Sequence, residues 1–351
     1  MMAGRRVLHW SLGAVGTVLG VGAVAVGGWA WRNRTAFDRE WRAVVSAGFV
    51  EKHADVDGVS LAYGEGPDNG PPLLLIHGQA TDWKSYAPVL PALAEDFQVI
   101  AVDVPGHGGS NRWAGHYTAP EVGRLLQSFL VKVIDEPAVV SGHSSGGQLA
   151  AWIAGHDDAG LVRAVALEDP PMFATELPRA TRTWNWVDLA STAHDFLESD
   201  ATDWVAWQWE HQRMWRFFGD SADRIIRHGL SSRTPGSREA VSVWYLPPSL
   251  MGMQRTFVDY DPHFGQALHD GSWNDDFDQA ATLAGIDVPT VYLHAPPTYG
   301  DDGIMQGAAS VDEVDRAMTN LRYGRLVTFD TGHNIHGEDP HGFVRELRSL
   351  L

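Results

Sequence analysis

The sequence has no cysteine. That excludes a thiol nucleophile, a disulfide and a cysteine metal site, while fitting a reducing and an oxidising compartment equally. Positive charge is also scarce: 26 Lys and Arg stand against 44 Asp and Glu, for a formal charge of −18. Four of those arginines lie in the first 35 residues, which contain no acid, so the remainder carries 22 basic against 44 acidic residues. A body this acidic repels nucleic acid and anionic lipid, so no nucleic-acid partner is expected. No glycine-rich phosphate loop or dinucleotide fingerprint occurs, and no cofactor is expected. What the 351 residues do have is 44% hydrophobic and 20% charged composition, enough to bury a large core as one domain or as a domain with an insertion.

The amino terminus has a different character. Between Arg6 and Arg32 lie 25 residues without one Asp, Glu, Lys or Arg. As a helix at ~1.5 Å per residue they would run about 37 Å, more than a bilayer core of about 30 Å. Six glycines with Ala and Val suit a membrane helix better than a soluble one, and Trp10, Trp29 and Trp31 sit near its two ends. Residues 1–35 are therefore expected to form a single-pass anchor, with the body outside the cytoplasm by default. The competing expectation is a signal cleaved near Ala23-Val24-Ala25 and a secreted body. Arg5 and Arg6 on one side face Arg32 and Arg34 on the other, so orientation is weakly coded.

From about residue 49 strand-like and helix-like patterns alternate. Phe49 to Ala54 and Val59 to Gly64 read as strands joined by a turn at Asp57-Gly58. Leu73 to Ile76, Val99 to Asp103, Ala138 to Ser141, Val162 to Leu167, Thr290 to His294 and Arg325 to Phe329 read as further strands. Tyr86 to Ala94 and Leu149 to Gly155 read as helical, and Ser310 to Glu313 has capping-box spacing. The fold class is α/β: a mostly parallel sheet with helices on both faces. The rhythm breaks from about Met172 to Gly285, which holds eight of the fifteen tryptophans and no clear buried strand. This reads as a helical cap inserted into a domain spanning 36–351. Its tryptophans are more often packing than ligand contacts, yet an insertion there lies near the sheet edge where such folds bind ligands.

The strongest chemical signal is Gly142-His143-Ser144-Ser145-Gly146, between a strand pattern and a helix pattern. Small residues let the chain turn sharply and hold Ser144 up as a nucleophile, with a helix amino terminus behind it. Ser145 would need a glycine at the position of His143 to take that role. A serine nucleophile needs a base, and His333, His336 and His341 follow the last strand. Their spacing matches no zinc signature, and no metal is expected.

With that elbow, Leu73-Leu74-Leu75-Ile76-His77-Gly78-Gln79 and Asp103-Val104-Pro105-Gly106-His107-Gly108-Gly109-Ser110 make residues 49–351 resemble the α/β-hydrolase superfamily. The resemblance implies oxyanion donors on the backbone N–H groups of Gln79 and Ser145. It makes His333, in Asp330-Thr331-Gly332-His333, the general base, and leaves His77, His107, His143 and His336 as packing or supporting residues. The acid it implies usually follows the strand Thr290 to His294, where Asp302 fits best. An extra Ala295-Pro296-Pro297-Thr298 after that strand disturbs the register. Asp301 is one alternative acid, and Glu168 or Asp169, after the preceding strand, another.

A serine with histidine and acid supports acyl transfer and argues against epoxide opening or halide displacement, which use aspartate at the elbow. The expectation is a serine hydrolase cleaving a carboxylic ester of an apolar small molecule, the oligomeric state being uncoded. Alternatives are a cofactor-free peroxidase, lyase or C–C hydrolase on the same scaffold, and a non-catalytic membrane-tethered binding protein.

Overall fold

The computed structural model describes residues 28–29, 31–32 and 35–351. The expected membrane segment, 1–35, falls outside them apart from five positions. Among the described residues no helix is long and apolar enough to cross a membrane.

After a helix over 35–46, strands β1 (Val50–Val56), β2 (Val59–Glu65), β3 (Pro72–Ile76), β4 (Gln98–Val102), β5 (Ala138–His143), β6 (Val162–Glu168) and β7 (Thr290–His294) follow in turn. Later come β8 (Thr298–Tyr299), β9 (Met305–Gln306) and β10 (Gly324–Thr328). The main sheet has eight strands in the order β1-β2-β4-β3-β5-β6-β7-β10. β1 and β2 pair antiparallel, as do β2 and β4, and the other pairings are parallel. The β1–β2 turn needs two residues of positive φ, which Asp57 (φ 53°) and Gly58 (φ 85°) supply, leaving Val56 opposite Val59.

β3, β5 and β7 are buried along their whole length because helices cover both faces. Alternation along β3 sends Leu73 and Leu75 into one hydrophobic cluster and Leu74 and Ile76 into the other. Ser145–Gly155, buried along nearly its whole length, packs on β5 and β6. The capping box at Ser310 and Glu313 is formed at the start of the helix Val311–Asn320.

One local expectation is corrected. Tyr86 to Ala94 is not one helix but a 3₁₀ turn, Trp83–Tyr86, and a short helix, Leu90–Leu93. Pro88 has no N–H to continue a helical ladder there. After β7, β8 and β9 close a small antiparallel ladder carrying Asp301 and Asp302 at its tip.

Between β6 and β7 the chain forms only helices and loops, including Ser191–Leu197, Trp204–His211, Ala222–Leu230, Pro248–Thr256 and Pro262–Asp270. Most tryptophans here serve packing. Trp209 and Trp273 are fully buried, and their indole N–H groups donate to Ile226 O and Gln148 Oε1 at 3.0 and 2.9 Å. The second bond ties this helical segment to the helix behind the elbow.

Candidate active site

β5 runs straight into the helix Ser145–Gly155, and Ser144 makes the turn with φ 56° and ψ −124°. A serine in this region is strained, and the packing around it permits nothing roomier. A Cβ on Gly142 would sit 2.0 Å from Gly146 O, and one on Gly146 would sit 2.3 Å from Ile76 O. Ser144 N–H donates to Glu168 O at 2.9 Å, fastening the elbow to the end of β6. Such strain persists where surrounding structure over-determines it, typically at functional sites.

The loop after β3 presses on this turn, for a Cβ on Gly78 would approach Ser144 Cβ to 2.9 Å. That loop is held by two neutral histidines. His77 Nδ1–H donates to Gly78 O at 2.8 Å while its Nε2 accepts Val104 N–H at 2.9 Å, and His107 Nε2 accepts Ala80 N–H at 3.1 Å. Burial pushes the His77 pKa down to about 4. Among the described residues the backbone N–H groups of Gln79 and Ser145 meet no protein acceptor. The Gln79 side chain donates to Tyr260 Oη at 2.7 Å, linking this loop to the helical segment above.

His333 lies in the loop after β10 and lines the same cavity as Ser144, Gln79 and Ser145. Its Nδ1–H donates to Asp169 Oδ2 at 2.7 Å. Asp169, fully buried, stands one residue past β6 at φ 42°, and its other oxygen accepts from His294 Nδ1 at 3.1 Å and Ala295 N–H at 3.2 Å. Burial opposes charge on this carboxyl, but the hydrogen bonds from His294 and His333 outweigh it and hold the group below the usual carboxylate range. Burial likewise opposes charge on His333. The hydrogen bond and charge of Asp169, followed by the charges of Glu168 and Glu338, outweigh it and raise the imidazole above its ordinary value.

The expectation that Asp302 orients His333 is corrected. Asp302 Oδ2 accepts from Arg213 and, at 2.6 Å, from Arg216, and Asp302 O accepts from Arg182 at 2.9 Å. The Arg216 bond, then Ile304 N–H and Arg213, hold its carboxyl well below the usual range. The extra residues after β7 build the β8–β9 ladder, which carries Asp302 out to the helical segment instead of back to His333. Asp301 is exposed beside it. Glu168, the other alternative, bonds His336: its carboxylate accepts from His336 Nδ1 at 2.9 Å and from His336 N–H at 2.8 Å.

His294 was not singled out from the sequence. Its signal is that it is an imidazole closing a short, fully buried strand next to the site. The cavity itself measures about 720 Å³. Its walls come largely from the helical segment, with Trp184, Trp186, Phe217 and Phe218 among them. Among the described residues, no three His, Cys, Asp or Glu are grouped so as to hold a metal ion.

The sequence pattern of the alpha/beta hydrolase fold family matches residues 71–340. The chain belongs to the alpha/beta hydrolase fold family. Within this hydrolase family it is 28% identical to a pimeloyl-[acyl-carrier protein] methyl ester esterase of Aromatoleum aromaticum, over 47% of this chain and 63% of the relative. It is 26% identical to a 2-succinyl-6-hydroxy-2,4-cyclohexadiene-1-carboxylate synthase of Enterobacter sp. strain 638, over 80% of this chain and 92% of the relative. Several other curated relatives are matched over only about a third of their length. Among solved structures, a hydrolase from Pseudomonas aeruginosa PA01 superposes with TM-score 0.61 at 21% identity, over 86% of this chain and 97% of that one, a likeness of fold.

Proposed function

We propose that this hydrolase-fold protein is a serine hydrolase that cleaves a carboxylic ester of an apolar small molecule, with Ser144 as nucleophile, His333 as general base and Asp169 as the orienting acid. The observation that carries the reading is the 2.7 Å bond from His333 Nδ1 to buried Asp169, in a cavity shared with a strained, elbow-borne Ser144.

With Nδ1–H engaged by Asp169, the neutral ring presents Nε2 as a proton acceptor. In the proposed reaction Ser144 Oγ attacks the ester carbonyl carbon as its proton passes to His333 Nε2. Negative charge on the carbonyl oxygen is met by the N–H groups of Gln79 and Ser145. Collapse expels the alcohol, protonated by His333, and leaves an acyl group on Ser144. Water, deprotonated by His333, then releases the acid. The aromatic walls favour an apolar acyl or alcohol part, and the esterase relative supports this bond type.

The test is an acyl-chain-length ester panel with Ser144→Ala, together with labelling by a fluorophosphonate. Turnover and labelling in the native protein, with both abolished in Ser144→Ala at an unchanged unfolding midpoint, is the expected outcome. Retained turnover in that variant overturns the assignment. A second reading, lyase or C–C bond chemistry on the same three residues, draws on the similarity to the synthase along 80% of the chain. Product analysis separates the two.

A further inference from the structure

Asp169 accounts for one of two consecutive carboxylates at the end of β6. Glu168 is equally buried, and it faces His336, three residues beyond His333 in the short helix Ile335–Glu338. The two histidines are thus gripped by two neighbouring acids on one strand end. Glu168 takes both the side-chain and the backbone N–H of His336, at 2.9 and 2.8 Å, while its own backbone O accepts Ser144 N–H at 2.9 Å. Residue 168 therefore joins the elbow to the base loop. A third hold comes from His143, which burial keeps neutral by pushing its pKa down to about 3, and whose Nε2 lies 3.0 Å from His333 O as donor.

A buried carboxylate–imidazole pair is a poor device for stability alone, since desolvating it costs several kcal/mol and apolar side chains of similar volume often do as well. The surroundings of His336 would accept such a replacement, because its ring already packs 4.5 Å from Tyr86 and 5.8 Å from Phe343. What apolar packing lacks is direction. A hydrogen-bonded pair fixes the rotation of the 333–336 turn about its own axis, and a misplacement of ~1 Å at a base can cost ~100-fold in rate.

Resting on the serine-hydrolase reading, we infer that Glu168 and His336 form a second carboxylate–imidazole pair that positions His333 for proton transfer, and that Glu168 is a positioning residue of the reaction. The charged and titratable groups facing His333 are Asp169, Glu168, Glu338 and His143. His294 acts on it through Asp169 and His336 through Glu168. Glu168→Gln removes one of the three negative charges, so the acid limb of the kcat/KM profile moves to lower pH. His336→Phe keeps the Glu168 side chain and the ring packing but removes the side-chain donor.

The experiment compares ester turnover and pH profiles of the full chain with Glu168→Gln, His336→Phe and His336→Asn, well below each unfolding midpoint. Asn places an amide N–H where imidazole Nδ1–H stood. The expected result is a kcat loss of ~10- to 100-fold in His336→Phe with KM nearly constant, substantial recovery in His336→Asn, and a limb shifted down in Glu168→Gln. Equal turnover in His336→Phe and the native protein overturns the inference, as does a loss that His336→Asn does not repair. If Glu168→Gln does not fold, the two His336 variants decide. Fluorophosphonate labelling of the native protein keeps the failures apart: no labelling sinks the hydrolase reading, whereas labelling with unaffected variants sinks only this one.

Discussion

Two pairs of adjacent acids lie near the mouth of the sheet, and they have opposite fates. Glu168 and Asp169 close β6 and are fully buried, each holding a histidine of the segment after β10. Asp301 and Asp302 tip the β8–β9 ladder, where the Asp302 side chain is 31% exposed and faces arginines of the helical segment. The chemistry of the four side chains is nearly the same. What differs is where the backbone ends: a strand edge inside the molecule offers a carboxylate few partners and little water, so each bond it makes is strong and directional. A hairpin tip offers solvent and mobile guanidinium groups, where charge pairing is screened.

The sharpest way to break this contrast is to neutralise each acid without changing its shape. Asp169→Asn is expected to lower kcat by as much as ~10⁴-fold, as in the serine-protease precedent. Asn can still accept from Ala295 N–H and His294 through its oxygen, which turns its NH₂ group toward His333 Nδ1. The imidazole then carries its proton on Nε2, the atom that must accept one from Ser144. Steady-state ester hydrolysis at matched unfolding midpoints measures this, and near-native turnover would remove Asp169 from the triad.

The second expectation is a pH dependence. The buried pair raises the His333 pKa, so the acid limb of kcat/KM lies above the ordinary imidazole value of about 6.5, with rate falling tenfold per unit below it. The sign follows from the charge: Asp169 and Glu168 stabilise imidazolium, and the proton must leave before His333 can act as base. A limb at or below the ordinary value would mean that the pair does not act on His333 as the geometry implies.

The same contrast explains what could be read from the sequence. Each buried strand was legible as a largely apolar stretch of four to six residues, and Ser144 as a serine between glycines at a strand-to-helix junction. His333 was legible because it follows the last strand-like stretch, Arg325 to Phe329. The acid was not, since position after a strand is only a proxy for position in space. The residues Ala295 to Thr298 look like a spacer before an acid, yet they begin a ladder that leads away from His333. Glu168-Asp169-Pro170-Pro171 looks like the start of a solvated loop. A better cue was present: two acids at the end of a strand that is apolar from Ala164 to Leu167, followed by prolines that cannot prolong it, are buried with that strand's end. His294 was hidden for the converse reason, as a polar residue counted with the buried strand it ends.

The smallest expected effects belong to the exposed pair, and they complete the contrast. Asp302 ties the tip of the ladder to Arg213 and Arg216, and Arg216 lies 5.9 Å over Trp184, a wall residue of the cavity. Asp302→Asn frees those guanidinium groups to move, which loosens the wall without touching the proton path. KM for the best ester of the panel should rise by roughly threefold while kcat stays within about twofold. Because the pairing is exposed, raising salt from 0.05 to about 0.5 M should reproduce much of that KM rise in the native protein and add little in the variant. Asp301→Asn should change neither constant, since that carboxylate bonds to nothing in the wall. A kcat loss in Asp302→Asn approaching that of Asp169→Asn would overturn the contrast, returning the acid to the loop after β7 and requiring the β8–β9 ladder to fold back onto His333 during turnover.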